Sequence, residues 1–228
     1  VAARVAMYQK DWTGMNTALS ESFLDLNGPL TTGPRFLYST TAGDITNPLW
    51  QAKEEANNPL LVQVNFVAEA EAGDSRVFGP SIADGGTAKV RQRTAATAPT
   101  GYPSMSYETQ LYATNVSPIS IIRNEELILM YAEAKIQTNQ LPDAIVAINR
   151  IRTAHNLLPY AGAVSQSALI TEVLKQRRYS LFMEGHRWFD MRRYNLLNTL
   201  PNDKPTHSVF PEFPRHKQEQ DWDATNPC

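Results

Sequence analysis

The feature that most constrains the fold is a dense block of charged and aromatic residues between residues 177 and 193, called here the charged block. It holds five arginines, two acids, Glu184 and Asp190, and several aromatic residues. The planar guanidinium of arginine suits two-point pairing with a partly buried carboxylate. We therefore expect the block to be a determinant of the fold, with its aromatic residues packed among helices. Each acid would be clamped by one of three nearby arginines: Arg187, Arg192 or Arg193.

Two functional interpretations of the charged block are disfavoured. Glycoside hydrolysis needs two carboxylates about 5–10 Å apart across a bound sugar. Six residues apart on a helix, the side chains of Glu184 and Asp190 differ in direction by about 240°. Acids also alternate with the basic residues between Lys175 and Arg193, whereas a phosphate-binding surface needs free cations. The block therefore predicts neither a glycosidase nor a nucleic-acid site.

Residues 119–198 have the clearest helical pattern. Asn124 would cap a first helix, Pro142 suits the first position of a second, and Ser165 or Ser167 would begin a third. The first two helices make a hairpin of the size of a tetratricopeptide repeat. Apolar residues recur on one face of each at three- and four-residue steps: Leu127, Met130, Tyr131 and Ala134, then Ile145, Ile148 and Ile151.

The remaining zones differ from this helical part. An N-terminal helix pair would end at Asn27-Gly28-Pro29. It precedes a long insertion rich in glycine, proline and small residues, with a short helix or strand between Pro59 and Ala72 and a loop at Thr94–Thr100. We expect one mainly α domain of tetratricopeptide-like helical hairpins with a long loop-rich insertion. Its parts are a helix pair at 1–27, the insertion at 28–118, a helical hairpin plus third helix at 119–198 and a C-terminal coil at 199–228.

Composition and motifs disfavour several classes of function. The net charge of −2 gives no basic field for nucleic acid. The four histidines and Cys228 lack the spacing of metal ligands, and no phosphate-binding glycine motif or GxSxG motif occurs. One cysteine allows no intrachain disulfide, and the apolar runs are too short to cross a bilayer. We therefore expect no catalytic residue, no metal and no cofactor.

Aromatic and arginine side chains in the insertion are the candidate ligand contacts. Aromatic rings on loops can stack on sugars, and an arginine beside them supplies directional hydrogen bonds. Alternatively, each residue anchors its own loop onto the helices. The candidates are Arg35, Tyr38, Trp50, Arg76, Tyr102 and Tyr107.

Several blocks together resemble the SusD/RagB family of nutrient-binding lipoproteins of the Bacteroidetes. The most specific are Arg123–Ala134, Ala144–Arg152 and Glu184–Arg193, and the closing segments Phe210–Pro214 and Asn226–Pro227 are also similar. The resemblance implies a SusD-like fold and a non-catalytic protein on the extracellular face of the outer membrane. Such a protein binds an oligosaccharide or a peptide and hands it to a TonB-dependent, SusC-like transporter. The family's glycan-binding aromatic residues follow no motif, so the resemblance transfers none of them.

The family is about twice as long as this chain, which begins without an initiator Met. The resemblance therefore implies that residues 1–228 are a C-terminal fragment, and that the signal peptide and lipidated cysteine lie outside it. Membrane contact would occur only through that lipid anchor. The alternative function is a tetratricopeptide-like protein–protein interaction scaffold with no small ligand. We expect no nucleic-acid partner in either case.

Overall fold

The computed structural model describes residues 1–204, 206–213, 216–218 and 221. Parts of the expected C-terminal coil, including Pro214, Asn226–Pro227 and Cys228, lie outside this range. Within it the protein is mainly α, as predicted. Its helices are α1 (Ala2–Gln9), α2 (Trp12–Ser20), α3 (Val64–Ala68), α4 (Asn124–Gln137), α5 (Leu141–Ala154), α6 (Gln166–Ser180) and α7 (Arg187–Arg193). The strands are β1 (Arg35–Phe36), β2 (Val90–Thr97), β3 (Met105–Thr109) and β4 (Ile119–Ser120). None of these helices combines the length and apolar character that a membrane span requires.

Helix α4 is the centre of the scaffold. All but three of its fourteen residues are buried, because α1, α2, α5 and α6 pack around it. One apolar core joins Ile128 of α4 to Ile151 of α5 and Val173 of α6. A second joins α4 to Met7 of α1 and Met15 of α2. These four helices are therefore placed by their contacts with a helix that has almost no solvent-facing side.

Acids on α4 are carried into the interior, where each needs a cation or donor. Glu126 accepts hydrogen bonds from the guanidinium of Arg4 at 2.9 and 2.8 Å. Glu133 accepts one from Arg193 at 3.1 Å and one from the hydroxyl of Tyr194 at 2.6 Å. These pairs attach α1 to the first turn of α4 and α7 to its second half.

Both acids of the charged block pair with arginines, as expected. Only one of the partners is among the three arginines that the sequence suggested. Asp190 accepts from Arg177 at 2.6 Å and from Arg193 at 2.8 Å. Glu184 pairs with Arg123, which lies outside the block. The expectation that nearby arginines clamp both acids is therefore correct for Arg193 and Asp190 and wrong for Glu184. Sequence proximity did not decide the pairing, because α6 and α4 bring distant arginines closer.

The insertion contains a β-hairpin that the sequence analysis missed. Strands β2 and β3 pair antiparallel, with Val90 opposite Thr109 and a register shift between Gln92 and Thr97. The segment Thr94–Thr100 was expected to be a loop, and that is wrong for its first four residues, which belong to β2. Most of these small residues are exposed, so they lack the apolar alternation that marks a strand.

Two helix boundaries also differ from expectation. Helix α2 ends at Ser20, before the glycine–proline signal at Asn27-Gly28-Pro29. Asn124 is the first residue of α4 and not its cap. Its side chain accepts a hydrogen bond from the backbone N–H of Asp25 at 2.9 Å and donates to the carbonyl of the same residue at 2.7 Å. Asn124 therefore ties α4 to the turn after α2, whereas Ser165 caps α6 as predicted.

Arg76 lies in the core, which corrects its assignment as a ligand contact. Its side chain is 1% exposed and pairs with Asp74, with two N–O distances of 2.9 and 2.7 Å. It also donates to the side chain of Gln176 at 2.7 Å and to the hydroxyl of Ser180 at 2.8 Å. The guanidinium is out of reach of a ligand and instead fastens the insertion to α6.

We predict that Arg76→Ala lowers the free energy of unfolding by about 3–5 kcal/mol, because it leaves the buried carboxylate of Asp74 without a cation. The measurement is urea denaturation followed by circular dichroism. The control is Arg35→Ala, at an exposed position with one hydrogen bond to a backbone carbonyl, where we expect a loss of about 0.5 kcal/mol or less. A loss below about 1 kcal/mol for Arg76→Ala would contradict the buried pair.

Candidate functional site

A cavity of about 330 Å³ lies where the β1–β4 ribbon meets the start of α4. We call it the ribbon cavity. Its lining combines backbone and small side chains of β4 and the preceding loop with charged and aromatic side chains from the insertion, α4 and the charged block. The side chains that decide its chemistry are Lys89, Tyr112, Arg123, Glu125, Phe182 and Glu184.

Arg123 holds one side of the ribbon cavity together. Its Nε donates to Glu125 at 3.0 Å, its Nη1 pairs with Glu184, and its Nη2 donates to the carbonyl of Ser180. Burial disfavours the charged guanidinium, but the carboxylates of Glu125 and Glu184 outweigh that cost and raise the pKa of Arg123. Arg123 therefore stays charged and fixes the position of Glu184.

Two further charges beside Arg123 have shifted pKa values. Burial, followed by repulsion from Arg123, lowers the pKa of Lys89 to about 8. Burial would raise the pKa of Glu125, but a hydrogen bond from His155 at 2.7 Å and the charge of Arg123 hold that pKa well below its usual range. The cavity thus presents both hydrogen-bond donors and acceptors.

Two aromatic side chains complete the lining. Burial, with a contribution from Glu184, raises the pKa of the Tyr112 phenol to about 12, so its hydroxyl stays protonated and can donate. Phe182 adds an apolar ring. Sugars offer hydroxyl groups that donate and accept, and C–H faces that pack on aromatic rings. Charges of both signs, a phenol and an apolar ring suit a polyhydroxylated ligand of low charge.

Two of the predicted ligand residues lie on or near β1, next to the ribbon cavity. Arg35 pairs in register with Ser120 and donates to the carbonyl of Thr31 at 2.7 Å, and both partners line the cavity. Tyr38 follows two residues after the end of β1. The structure therefore places Arg35 beside the cavity lining and Tyr38 on the segment that continues from β1.

Trp50 lies on a loop tied to the same cavity. The side chain of Asn47 donates to the carbonyl of Ser117 at 2.8 Å, and the N–H of Trp50 donates to the carbonyl of Asn47 at 3.2 Å. Ser117 lines the ribbon cavity. Trp50 keeps about 36% of its surface exposed, so solvent reaches its side chain.

The remaining candidates lie elsewhere in the insertion. Tyr102, in the loop between β2 and β3, stacks edge-on against His207 and lies under the ammonium of Lys204 at 5.3 Å. Tyr107 packs against the apolar core of the hairpin. Neither lines the ribbon cavity, and Arg76 is buried as described above. These contacts match the alternative that loop aromatic residues anchor their own loops.

None of the six side chains that decide the chemistry of the ribbon cavity was among the six candidate ligand contacts. Glu184 lies in the charged block, which was interpreted as a determinant of the fold, and Arg123 lies next to a predicted helix. Lys89 and Tyr112 follow no motif. Their common property is position, because segments far apart in sequence bring them to one cavity. The aromatic character of Tyr112 was the one local signal available.

Glu184 and Asp190 do not form a catalytic pair. Glu184 lines the ribbon cavity, whereas Asp190 is buried between Arg177 and Arg193. Glycoside hydrolysis requires both acids to flank the same bound sugar. Among the described residues, no three acids, histidines or cysteines are grouped as metal ligands.

Comparison of the sequence with known proteins finds similarity to the SusD family. The model of the SusD family matches residues 78–227. The SusD-like protein P38 of Formosa agariphila is 31% identical over 47% of this chain and 25% of P38.

Solved structures show the same fold. A SusD-like carbohydrate binding protein from Bacteroides vulgatus matches 83% of this chain and 43% of its own, with a TM-score of 0.57 and 20% identity. A SusD superfamily protein from Parabacteroides distasonis matches 82% of this chain and 46% of its own, with a TM-score of 0.52 and 19% identity. The chain thus spans about half or less of the length of the relatives that it matches.

We predict that Lys89→Met removes a pH dependence of stability. The pKa of Lys89 is about 8 in the folded protein and 10.5 for a free side chain, so the unfolded chain binds more protons between these values. The contribution of Lys89 to stability therefore rises with pH through that window, and below pH 8 the cost of burying the ammonium is present in full. Between pH 7 and pH 10, the free energy of unfolding of the wild type should therefore rise by about 1–3 kcal/mol relative to that of Lys89→Met.

Urea denaturation of both proteins at the two pH values measures this shift. Lys10→Met, at an exposed position after α1, is the matched control and should show no such change. An equal difference at pH 7 and pH 10 would contradict a buried ammonium at Lys89.

Proposed function

The chain belongs to the SusD family, and from that premise we propose that it is a non-catalytic cell-surface protein that binds an oligosaccharide and hands it to a TonB-dependent outer-membrane transporter. The family match over residues 78–227 carries the proposal. One of the structural relatives is described as a carbohydrate binding protein. The chemistry of the ribbon cavity agrees with a ligand of the same class.

The ribbon cavity and its edge form the proposed ligand surface. Its volume of about 330 Å³ is near the lower end of small-ligand sites, so it would hold one end of an oligosaccharide. Arg35, Tyr38 and Trp50 lie on segments next to the lining of the cavity or tied to it. They would contact the sugar residues that extend outwards.

The charges of the cavity favour an uncharged ligand. Two cations, Lys89 and Arg123, and two anions, Glu125 and Glu184, line it. Their charges balance, and both acids lie beside Arg123. A charged peptide terminus would disturb this balance, whereas neutral hydroxyl groups would not. A saccharide therefore fits the cavity better than a peptide does.

The proposal extends to the cellular setting. The protein would lie on the extracellular face of the outer membrane, held by a lipid anchor outside this chain, and would cover a SusC-like barrel. The competing function, a tetratricopeptide-like interaction scaffold, draws support from a row of exposed apolar side chains on α1 and just before it. The row consists of Val1, Val5 and Tyr8.

We predict that Trp50→Ala weakens oligosaccharide binding by about tenfold, because the loss of one aromatic contact costs about 0.5–1.5 kcal/mol in addition to the buried area. A panel of oligosaccharides would identify a ligand, and isothermal titration calorimetry would measure its affinity. The matched control is Tyr102→Ala, since Tyr102 is as exposed as Trp50 (37% against 36%) but does not border the cavity. Loss of affinity at Tyr102 with none at Trp50 would move the ligand site to the hairpin loop.

A second experiment tests the partner. The native protein is recovered from detergent-solubilised outer membrane, and the proteins bound to it are identified by mass spectrometry. We expect a TonB-dependent barrel in stoichiometric amount. Recovery without any barrel would remove the transporter from the proposal and favour the interaction scaffold.

A further inference from the structure

A second cavity, of about 510 Å³, lies between the end of α6, the start of α7 and the segment 199–201. We call it the aromatic cavity. Phe182 lines both cavities, so the two are neighbours, but the aromatic cavity contains none of the side chains proposed to contact saccharide at the edge of the ribbon cavity. Its apolar lining includes Phe66, Leu181, Phe182, Met183, Trp188 and Leu200.

Arginine side chains also line the aromatic cavity, and two of them are paired. Arg177 donates to Asp190 at 2.6 Å. Arg178 forms an ion pair with Glu69. The acids therefore balance these two positive charges.

Arg187, the third arginine, has no such partner. Among the residues that the structure describes, no carboxylate oxygen lies within 4 Å of its guanidinium, which reaches the carbonyl oxygen of Leu174 at 3.5 Å. Arg187 is half-buried, and burial followed by repulsion from Arg178 lowers its pKa. The carboxylates of Asp190 and Glu69 act on Arg187 only at longer range. Because neither pairs with its guanidinium, an anion in the adjoining cavity would relieve part of the cost of removing that charge from water.

Two further lining residues have buried nitrogen atoms without hydrogen-bond partners in the described part of the chain. The atoms are Nη1 and Nη2 of Arg177 and Nδ1 of His186. Arg177 is 1% exposed and His186 is 6% exposed. Most buried polar groups in proteins are hydrogen-bonded, so each exception requires an explanation. Burial and the charge of Arg177 lower the pKa of His186, so its imidazole is uncharged at neutral pH.

We propose that the aromatic cavity binds an organic anion with an apolar body, whose carboxylate pairs with Arg187 while the body packs among Phe66, Phe182 and Trp188. The charge of Arg187 selects the anion. The mostly apolar lining selects a ligand with a hydrophobic body over strongly hydrated inorganic phosphate. Because Phe182 lines both cavities, this site adjoins the proposed saccharide site, but its charge selectivity rests on Arg187, which does not line the ribbon cavity.

The test compares 2-naphthoate with its uncharged analogue 2-naphthamide by isothermal titration calorimetry on the native protein. The two probes share the apolar body and differ in charge, so the wild-type comparison needs no variant. We expect 2-naphthoate to bind at least tenfold more tightly. Equal affinities, or no binding of either probe at millimolar concentration, would overturn the proposal.

Variants then test whether Arg187 supplies the positive charge that pairs with the carboxylate of 2-naphthoate. Arg187→Gln should lower the affinity for 2-naphthoate about tenfold and leave that for 2-naphthamide unchanged, and Arg187→Lys should restore part of the loss. The matched control is Arg192→Gln, which removes an exposed arginine of the same helix that lies over the Trp188 ring at 5.4 Å without lining the cavity. This control should bind both probes as the wild type does.

Two outcomes would contradict the location. Unchanged 2-naphthoate affinity in a folded Arg187→Gln protein would exclude pairing with Arg187. Loss of affinity in Lys89→Met with none in Arg187→Gln would place the anion in the ribbon cavity instead.

Discussion

The carboxyl end of α6 is the point at which the insertion and the helical scaffold are joined. Three cations converge on Ser180, the last residue of this helix. Its carbonyl accepts from Lys89 and Arg123, and its hydroxyl accepts from Arg76. The last carbonyl groups of a helix lack intrahelical partners and carry partial negative charge, so cations are favoured there. Two of these cations come from the insertion and one from the start of α4, and this convergence forms one side of the ribbon cavity.

How much of the fold the sequence predicts depends on how local the deciding interactions are. Helices α4, α5 and α6 follow from apolar periodicity and from a serine cap, which are properties of neighbouring residues. The pair between Arg123 and Glu184 joins residues 61 positions apart, and no local pattern predicts it. Arg76 was misassigned because it lies in a loop-rich zone, although an acid two residues earlier, Asp74, was a local indication of its partner.

The candidate site was predictable to a similar degree. Choosing aromatic and arginine side chains in loops selected Arg35, Tyr38 and Trp50, which lie on segments next to the lining of the ribbon cavity or tied to it. Their part in binding stays a prediction. It did not identify the charged lining, because Arg123 and Glu184 also hold the fold together. Residue type indicates what a side chain can bind, but not which side chains meet. The charged block supplies walls to both cavities, so one short segment holds the fold together and lines both proposed sites.

The enclosure of α4 has a consequence for how such proteins diversify. A helix covered on nearly every side leaves few positions where a substitution is neutral, since each change creates a void, a clash or an unpaired charge. Loops of the insertion are mostly at the surface and tolerate replacement. Sequence drift would therefore accumulate in the loops that border the ligand surface, while the enclosed helix and its partners stay recognisable. New ligand preferences could then arise without any change in the scaffold that carries them.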